Sequence, residues 1–76
     1  MHKPKKLRAL IKRAKTGNLY AMYQLGICYQ LGRRLPQDMN EATAWIVRSA
    51  EGGYAPAIQW MEDYFFDDNA DVQSIS

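Results

Sequence analysis

Hydrophobic residues recur at intervals of three and four along most of this chain, the spacing that places them on one face of an α-helix. Four segments show this pattern, and helix-ending residues separate them: Gly17, Gly32, Pro36 and Gly52–Gly53. The predicted helices span about residues 5–15, 19–31, 39–51 and 54–66. The pattern therefore predicts an all-α fold.

Individual residues refine these helices. Asn18 precedes the second helix, where an N-cap is expected, and Asp38 precedes the third with Glu41 at the spacing of a capping box. Gly26 lies inside the second helix, where glycine costs about 1 kcal/mol relative to alanine. We expect the close approach of another backbone to offset this cost. The predicted buried stripe of the fourth helix comprises Ala57, Ile58, Met61, Tyr64 and Phe65.

The hydrophobic pattern repeats at an offset of 36 residues. Size and polarity are kept at seven aligned pairs: Leu10/Ile46, Ile11/Val47, Ala14/Ala50, Gly17/Gly53, Ala21/Ala57, Leu25/Met61 and Tyr29/Phe65. Repetition at such a period is typical of folds in which helix pairs stack on one another. The sequence therefore predicts a short α-solenoid of antiparallel helix pairs, with one domain over residues 1–66 and an acidic, polar tail over 67–76.

Residues 21–53 carry the pattern A-x-x-Q-L-G-x-x-Y-x-x-G-x-x-x-P-Q-D-x-x-x-A-x-x-W-x-x-x-S-A-E-x-G. This pattern resembles the Sel-one-like repeat, a subclass of the tetratricopeptide-like helical repeats. The matching positions are Ala21, Leu25, Gly26, Tyr29, Gly32, Pro36, Gln37, Asp38, Ala42, Trp45, Ala50 and Gly53. One full repeat, about 18–53, is flanked by half repeats that depart from the pattern at Lys6, Ala9, Met61 and Glu62. The resemblance implies an α-solenoid that scaffolds or regulates other proteins and has no chemistry of its own.

The charges are segregated along the chain. Residues 1–34 carry nine basic side chains and no acidic one, whereas residues 35–76 carry one basic and eight acidic side chains. In a helical stack this order gives a positive start and a negative end. The predicted electrostatic patch comprises Lys5, Lys6, Arg8, Lys12, Arg13, Arg33 and Arg34. Three interpretations remain open: a solvated surface, head-to-tail association of two copies, and a two-fold dimer.

Several side chains lie off the main hydrophobic stripes of the second and fourth helices, among them the aromatic residues Trp60 and Phe66. Corresponding helices of a repeat stack line its concave side, and Tyr and Trp supply many binding hot spots. The predicted partner-binding residues are Tyr20, Tyr23, Gln24, Ile27, Trp60 and Tyr64. We expect a protein or peptide partner, with acidic partners attracted by the basic start. The competing interpretation is that these aromatic side chains pack in the core.

Other functions receive less support. The basic start, with Tyr20 and Tyr23 nearby, is compatible with a nucleic-acid- or ribosome-associated protein, but the acidic half would repel a long polyanion. His2 and Cys28 are the only residues of their types, so the sequence predicts no catalytic pair, no metal site and no cofactor. No apolar stretch approaches the roughly 18–20 residues that span a bilayer, and we expect a cytoplasmic protein without membrane partners.

Overall fold

The computed structural model describes residues 5–65, which form four α-helices and contain no strand. The helices are α1 (Lys5–Lys15), α2 (Leu19–Leu31), α3 (Met39–Glu51) and α4 (Ala55–Phe65). The predicted all-α class is confirmed, as are the bounds of the first three helices. The start of α4 was predicted one residue too early, at Tyr54. His2, Phe66 and the predicted acidic tail over 67–76 lie outside the described residues.

Side-chain caps begin α2 and α3. The Asn18 Oδ1 atom accepts a hydrogen bond from the Ala21 N–H at 2.9 Å, and the Asp38 Oδ1 atom accepts one from the Glu41 N–H at 3.1 Å. Both N-caps are therefore confirmed. In a complete capping box the Glu41 side chain would accept a hydrogen bond from the Asp38 N–H. Here the Asp38 N–H donates to the Tyr29 carbonyl instead, at 3.0 Å. This bond ties the start of α3 to the end of α2.

The turns that follow α1 and α3 have the same backbone conformation. Gly17 has a φ of 101° and Gly53 a φ of 99°, values that L side chains rarely adopt. In each turn this glycine N–H donates to the residue three before it, and the next N–H donates to the residue five before it. The residue before each glycine, Thr16 or Gly52, donates its N–H to the carbonyls three and four residues before it. The three consecutive donors of one turn are thus matched in the other: Thr16 by Gly52, Gly17 by Gly53 and Asn18 by Tyr54. The 36-residue offset therefore holds for the backbone of these turns as well as for the side chains.

The core lies between α1 and α2 and is covered by α3. Its fully buried members are Leu7, Ala14, Ala21 and Leu25, with Trp45 of α3 packed against them. The α3 residues Ala42, Ile46 and Ser49 are also fully buried. Ser49 meets no polar penalty, because its hydroxyl donates to the Leu19 carbonyl at 2.7 Å. This bond attaches the C-terminal end of α3 to the first turn of α2.

Gly26 lies at a close contact between α2 and α3. A Cβ atom at this position would lie 3.0 Å from the Ala42 carbonyl oxygen and would collide with the Ile46 side chain. The expected close approach of another backbone at Gly26 is confirmed. Tyr29 lies one turn further along α2, and burial, followed by the charges of Glu41 and Asp38, raises its pKa above the usual 10.0.

The buried stripe predicted for α4 is largely wrong. Ala57 is fully buried, but Ile58, Tyr64 and Phe65 are 39%, 51% and 47% exposed. Within residues 5–65, α4 packs against α3 as its main neighbour. α4 therefore carries more apolar side chains than its contact with α3 buries.

Candidate interaction surface

The predicted partner-binding residues lie on α2 and α4, outside the fully buried core. Tyr20 is 57% exposed and Tyr64 is 51% exposed. The other four are half-buried: Tyr23, Gln24, Ile27 and Trp60. Tyr20 and Tyr64 are therefore not packed in the core, and the other four side chains are packed there only in part.

Three tyrosines form a cluster at the start of α2. The Tyr54 ring lies edge-on to Tyr20, with ring centroids 6.2 Å apart, and is tilted against Tyr23 at 5.6 Å. Both distances fall in the range favoured by aromatic pairs. Tyr54 was not among the predicted site residues. One feature of the sequence could have pointed to Tyr54. It is the counterpart of the N-cap Asn18, 36 residues later, and carries an aromatic ring where a capping side chain is expected.

A second aromatic cluster lies along α4. Trp60 and Tyr64 are stacked, with ring centroids 4.8 Å apart and planes 13° from parallel, and Phe65 lies edge-on to Tyr64 at 5.0 Å. The Trp60 indole N–H donates to the side-chain oxygen of Gln30 at 3.0 Å. Gln30 was not predicted as a site residue, because its role depends on how α4 approaches α2. With its polar atom satisfied, the Trp60 ring is left for apolar contact.

Both clusters connect α2 to residues 54–64. The first joins Tyr20 and Tyr23 to Tyr54, and the second is attached to the last turn of α2 through the bond between Gln30 and Trp60. Four of the six predicted site residues, Tyr20, Tyr23, Trp60 and Tyr64, are thus gathered in two clusters, whereas Gln24 and Ile27 belong to neither. No ring contact joins one cluster to the other in the described residues.

A groove of about 360 Å³ opens between α1 and α2. Its charged lining residues are all cationic, namely Lys6, Arg13, Arg33 and Arg34, and we call it the basic groove. The rest of its lining comprises Ala9, Leu10, Tyr20, Gln24 and Cys28. Lys5, Arg8 and Lys12, which the sequence placed in the same electrostatic patch, are exposed on α1 and do not line it.

The turn after α2 positions two of these cations. Gly32 ends α2 in a left-handed conformation, with a φ of 69°, and the Arg33 N–H donates to the Cys28 carbonyl at 2.9 Å. Arg34 also has a positive φ, 66°, which is unfavourable for a residue with a side chain. The turn therefore holds both arginines beside the groove at some cost in backbone energy.

The side chains gathered at these surfaces are mainly aromatic rings and cations. The Cys28 thiol is free and only 6% exposed. Among residues 5–65, no group of three or more His, Cys, Asp or Glu side chains is arranged to hold a metal ion. No helix in this part of the chain combines the length and apolar character needed to cross a membrane.

Comparison of the chain with protein families, with curated proteins and with solved structures gives no match. The resemblance to Sel-one-like repeats stays a prediction that rests on the residues from Ala21 to Gly53.

Proposed function

We propose that this protein is a small, non-catalytic interaction module of the Sel-one-like repeat type. In this proposal its helices form a short α-solenoid of antiparallel pairs, and a protein or peptide partner binds across α2 and α4. The observation that supports the proposal most is that Tyr20 of α2 and Tyr64 of α4 are each about half exposed, although their rings already contact Tyr54 and Trp60. The proposal includes a cytoplasmic setting.

The aromatic clusters suit binding because their rings are already held in place. Tyr20 is 57% exposed, yet its ring contacts Tyr54, and Tyr64 is stacked on Trp60. Side chains ordered before binding lose less conformational entropy when a partner arrives. Large aromatic rings also supply a high share of the binding energy in protein interfaces. A partner with apolar or aromatic side chains fits this surface.

The basic groove adds a charge preference. Four cations line it, and Tyr20 belongs to both the groove and the first aromatic cluster. Because like-signed charges in a groove attract oppositely charged partners and raise their association rates, acidic side chains on the partner are favoured. The expected ligand is therefore an acidic peptide segment that also carries apolar or aromatic residues.

Binding of peptides selected from a random displayed library tests the proposal. We expect a selected peptide to lose about 30-fold or more in affinity with Tyr20→Ala or Trp60→Ala, because hot-spot truncations cost about 2 kcal/mol or more. Ile58→Ala is the matched control, since Ile58 is an α4 side chain that is 39% exposed and belongs to neither aromatic cluster. Titration calorimetry measures all four proteins. Equal affinities for the wild type and the two aromatic variants would count against the proposal.

The alternative is binding of nucleic acid, favoured by the four cations of the basic groove with Tyr20 beside them. If these four cations contact the phosphates of single-stranded RNA, the logarithm of the binding constant should fall with the logarithm of the salt concentration, with a slope of about −3. We expect no such binding to an arbitrary RNA, and measure it by fluorescence anisotropy at several salt concentrations. Micromolar binding with this slope, abolished by Arg33→Ala together with Arg34→Ala, would favour the alternative.

A further inference from the structure

A second depression, of about 310 Å³, lies between α3 and α4. Its lining is apolar except for two carboxylates, and we call it the apolar depression. The lining residues are Ala50, Glu51, Ile58, Met61 and Glu62. Ile58 is 39% exposed there, although it is one of the larger aliphatic side chains of the protein. No element within residues 5–65 fills this depression.

The 36-residue offset identifies what occupies the same position one unit earlier. The residues that correspond to the lining are Ala14, Lys15, Met22, Leu25 and Gly26. There the surface is covered by α3, since Gly26 faces the Ala42 carbonyl and the Ile46 side chain, and Leu25 is only 1% exposed. The apolar depression is therefore the position that a helix equivalent to α3 would occupy.

The basic groove is the complementary surface. Its four α1 residues are Lys6, Ala9, Leu10 and Arg13, and their counterparts on α3 are Ala42, Trp45, Ile46 and Ser49. These α3 residues make the contacts with α2 and with the core between α1 and α2. The same face of α1 has no such neighbour in the described chain and opens into the groove. It is therefore the face that would pack on a preceding helix pair.

We propose that the α1 face of one molecule docks into the apolar depression of a second copy of this chain, head to tail. Charge complementarity supports a copy as the occupant. The face carries Lys6 and Arg13, whereas the depression carries Glu51 and Glu62. Inside the molecule, Gly26 faces Ala42. The counterpart of Gly26 is Glu62, 36 residues later, and the counterpart of Ala42 is Lys6, 36 residues earlier. In the proposed joint, Glu62 of one molecule therefore lies opposite Lys6 of the next.

This joint differs from the internal contact between α2 and α3 in one respect. Glu62 has a side chain where Gly26 has none, so the neighbouring α1 must lie further away than α3 lies from α2. The long side chains of Glu62 and Lys6 span the greater distance. Exposed ion pairs contribute little and are screened by salt, so the association is weak and salt-dependent. Because a head-to-tail contact leaves one end free, assemblies grow beyond the dimer.

Sedimentation velocity on the full chain tests this inference. At about 50 mM salt, where screening is weak, we expect the average mass to rise past that of a dimer as the concentration approaches about 1 mM, and to fall towards the monomer at about 0.5 M salt. Glu62→Lys and Lys6→Glu should each weaken association about tenfold, because each sets like charges against one another. An equimolar mixture of these two variants should associate again, since both of its alternating joints pair opposite charges.

Two controls change the net charge equally at exposed sites outside the joint. Asp63→Lys and Lys12→Glu alter neither the apolar depression nor the basic groove, and should associate like the wild type. Circular dichroism confirms that every variant is folded. Three results would each overturn the inference. The chain could stay monomeric to about 1 mM, it could form a dimer that does not grow and is unchanged by Glu62→Lys, or the mixture of the two variants could fail to associate. Peptide binding shares the basic groove with this joint, so it is measured separately, at concentrations where the chain is monomeric.

Discussion

Replacement of Leu25 by alanine is expected to lower the free energy of unfolding by about 2–5 kcal/mol, the range for leucine truncation in a packed core. Leu25 is 1% exposed and belongs to the core cluster between α1 and α2, so truncation leaves a cavity. The same change at Met61, its counterpart 36 residues later, is expected to cost less than about 1 kcal/mol. Met61 borders the open apolar depression, where no cavity forms.

Urea denaturation followed by circular dichroism measures both variants at one low protein concentration. A single core in a chain of this length supplies only about 3–5 kcal/mol, so Leu25→Ala should be largely unfolded without denaturant. Leu25→Met, which keeps the volume and should cost less than about 1.5 kcal/mol, gives a folded variant for comparison. Equal costs at Leu25 and Met61 would mean that the two units are buried alike, contrary to the structure.

The substitution Gly26→Ala is expected to destabilise the protein, although alanine is the better helix former. In an exposed helix this change would stabilise by about 1 kcal/mol. Here the added Cβ lies 3.0 Å from the Ala42 carbonyl oxygen and collides with Ile46. Overpacking of a tight core contact costs about 1–3 kcal/mol, so the steric term exceeds the helix propensity and the net effect is a loss.

Glu62→Ala is the matched control, because Glu62 is the counterpart of Gly26 and is exposed beside the apolar depression. Its effect should stay within about 0.5 kcal/mol. The cost of Gly26→Ala should also shrink in an Ile46→Ala background, where the colliding side chain has been removed. Stabilisation by Gly26→Ala in the otherwise unchanged protein would show that α2 and α3 are further apart than described.

Most of the fold could be predicted because local chemistry ends each helix. Gly17 and Gly32 adopt positive φ angles, and Asn18 and Asp38 cap the helices that follow them. These signals act over a few residues and are visible in the sequence. The start of α4 was less clear, because the Tyr54 carbonyl accepts from the Ala57 and Ile58 N–H groups while Tyr54 itself stays outside the helix.

The candidate surface was harder to predict, because it depends on how the helices approach one another. The contact of Tyr54 with Tyr20 follows from the docking of the α3 end on α2, where Leu19 packs against Gly52 and accepts from Ser49. No local pattern contains that information. For the same reason the hydrophobic period of α4 predicted a buried Ile58, whereas the described chain has no helix to cover it.

Duplication of one unit tests the repeat architecture most directly. A second copy of residues 18–53, inserted after Gly53, keeps every 36-residue correspondence in register. An equally long insertion of residues 26–61 at the same point breaks that register and serves as the control. Stacked repeats gain stability with each added interface, so the in-register chain should unfold in one transition at a higher urea midpoint than the parent. A lower midpoint, or equal behaviour of the two insertions, would contradict the stacked-repeat account.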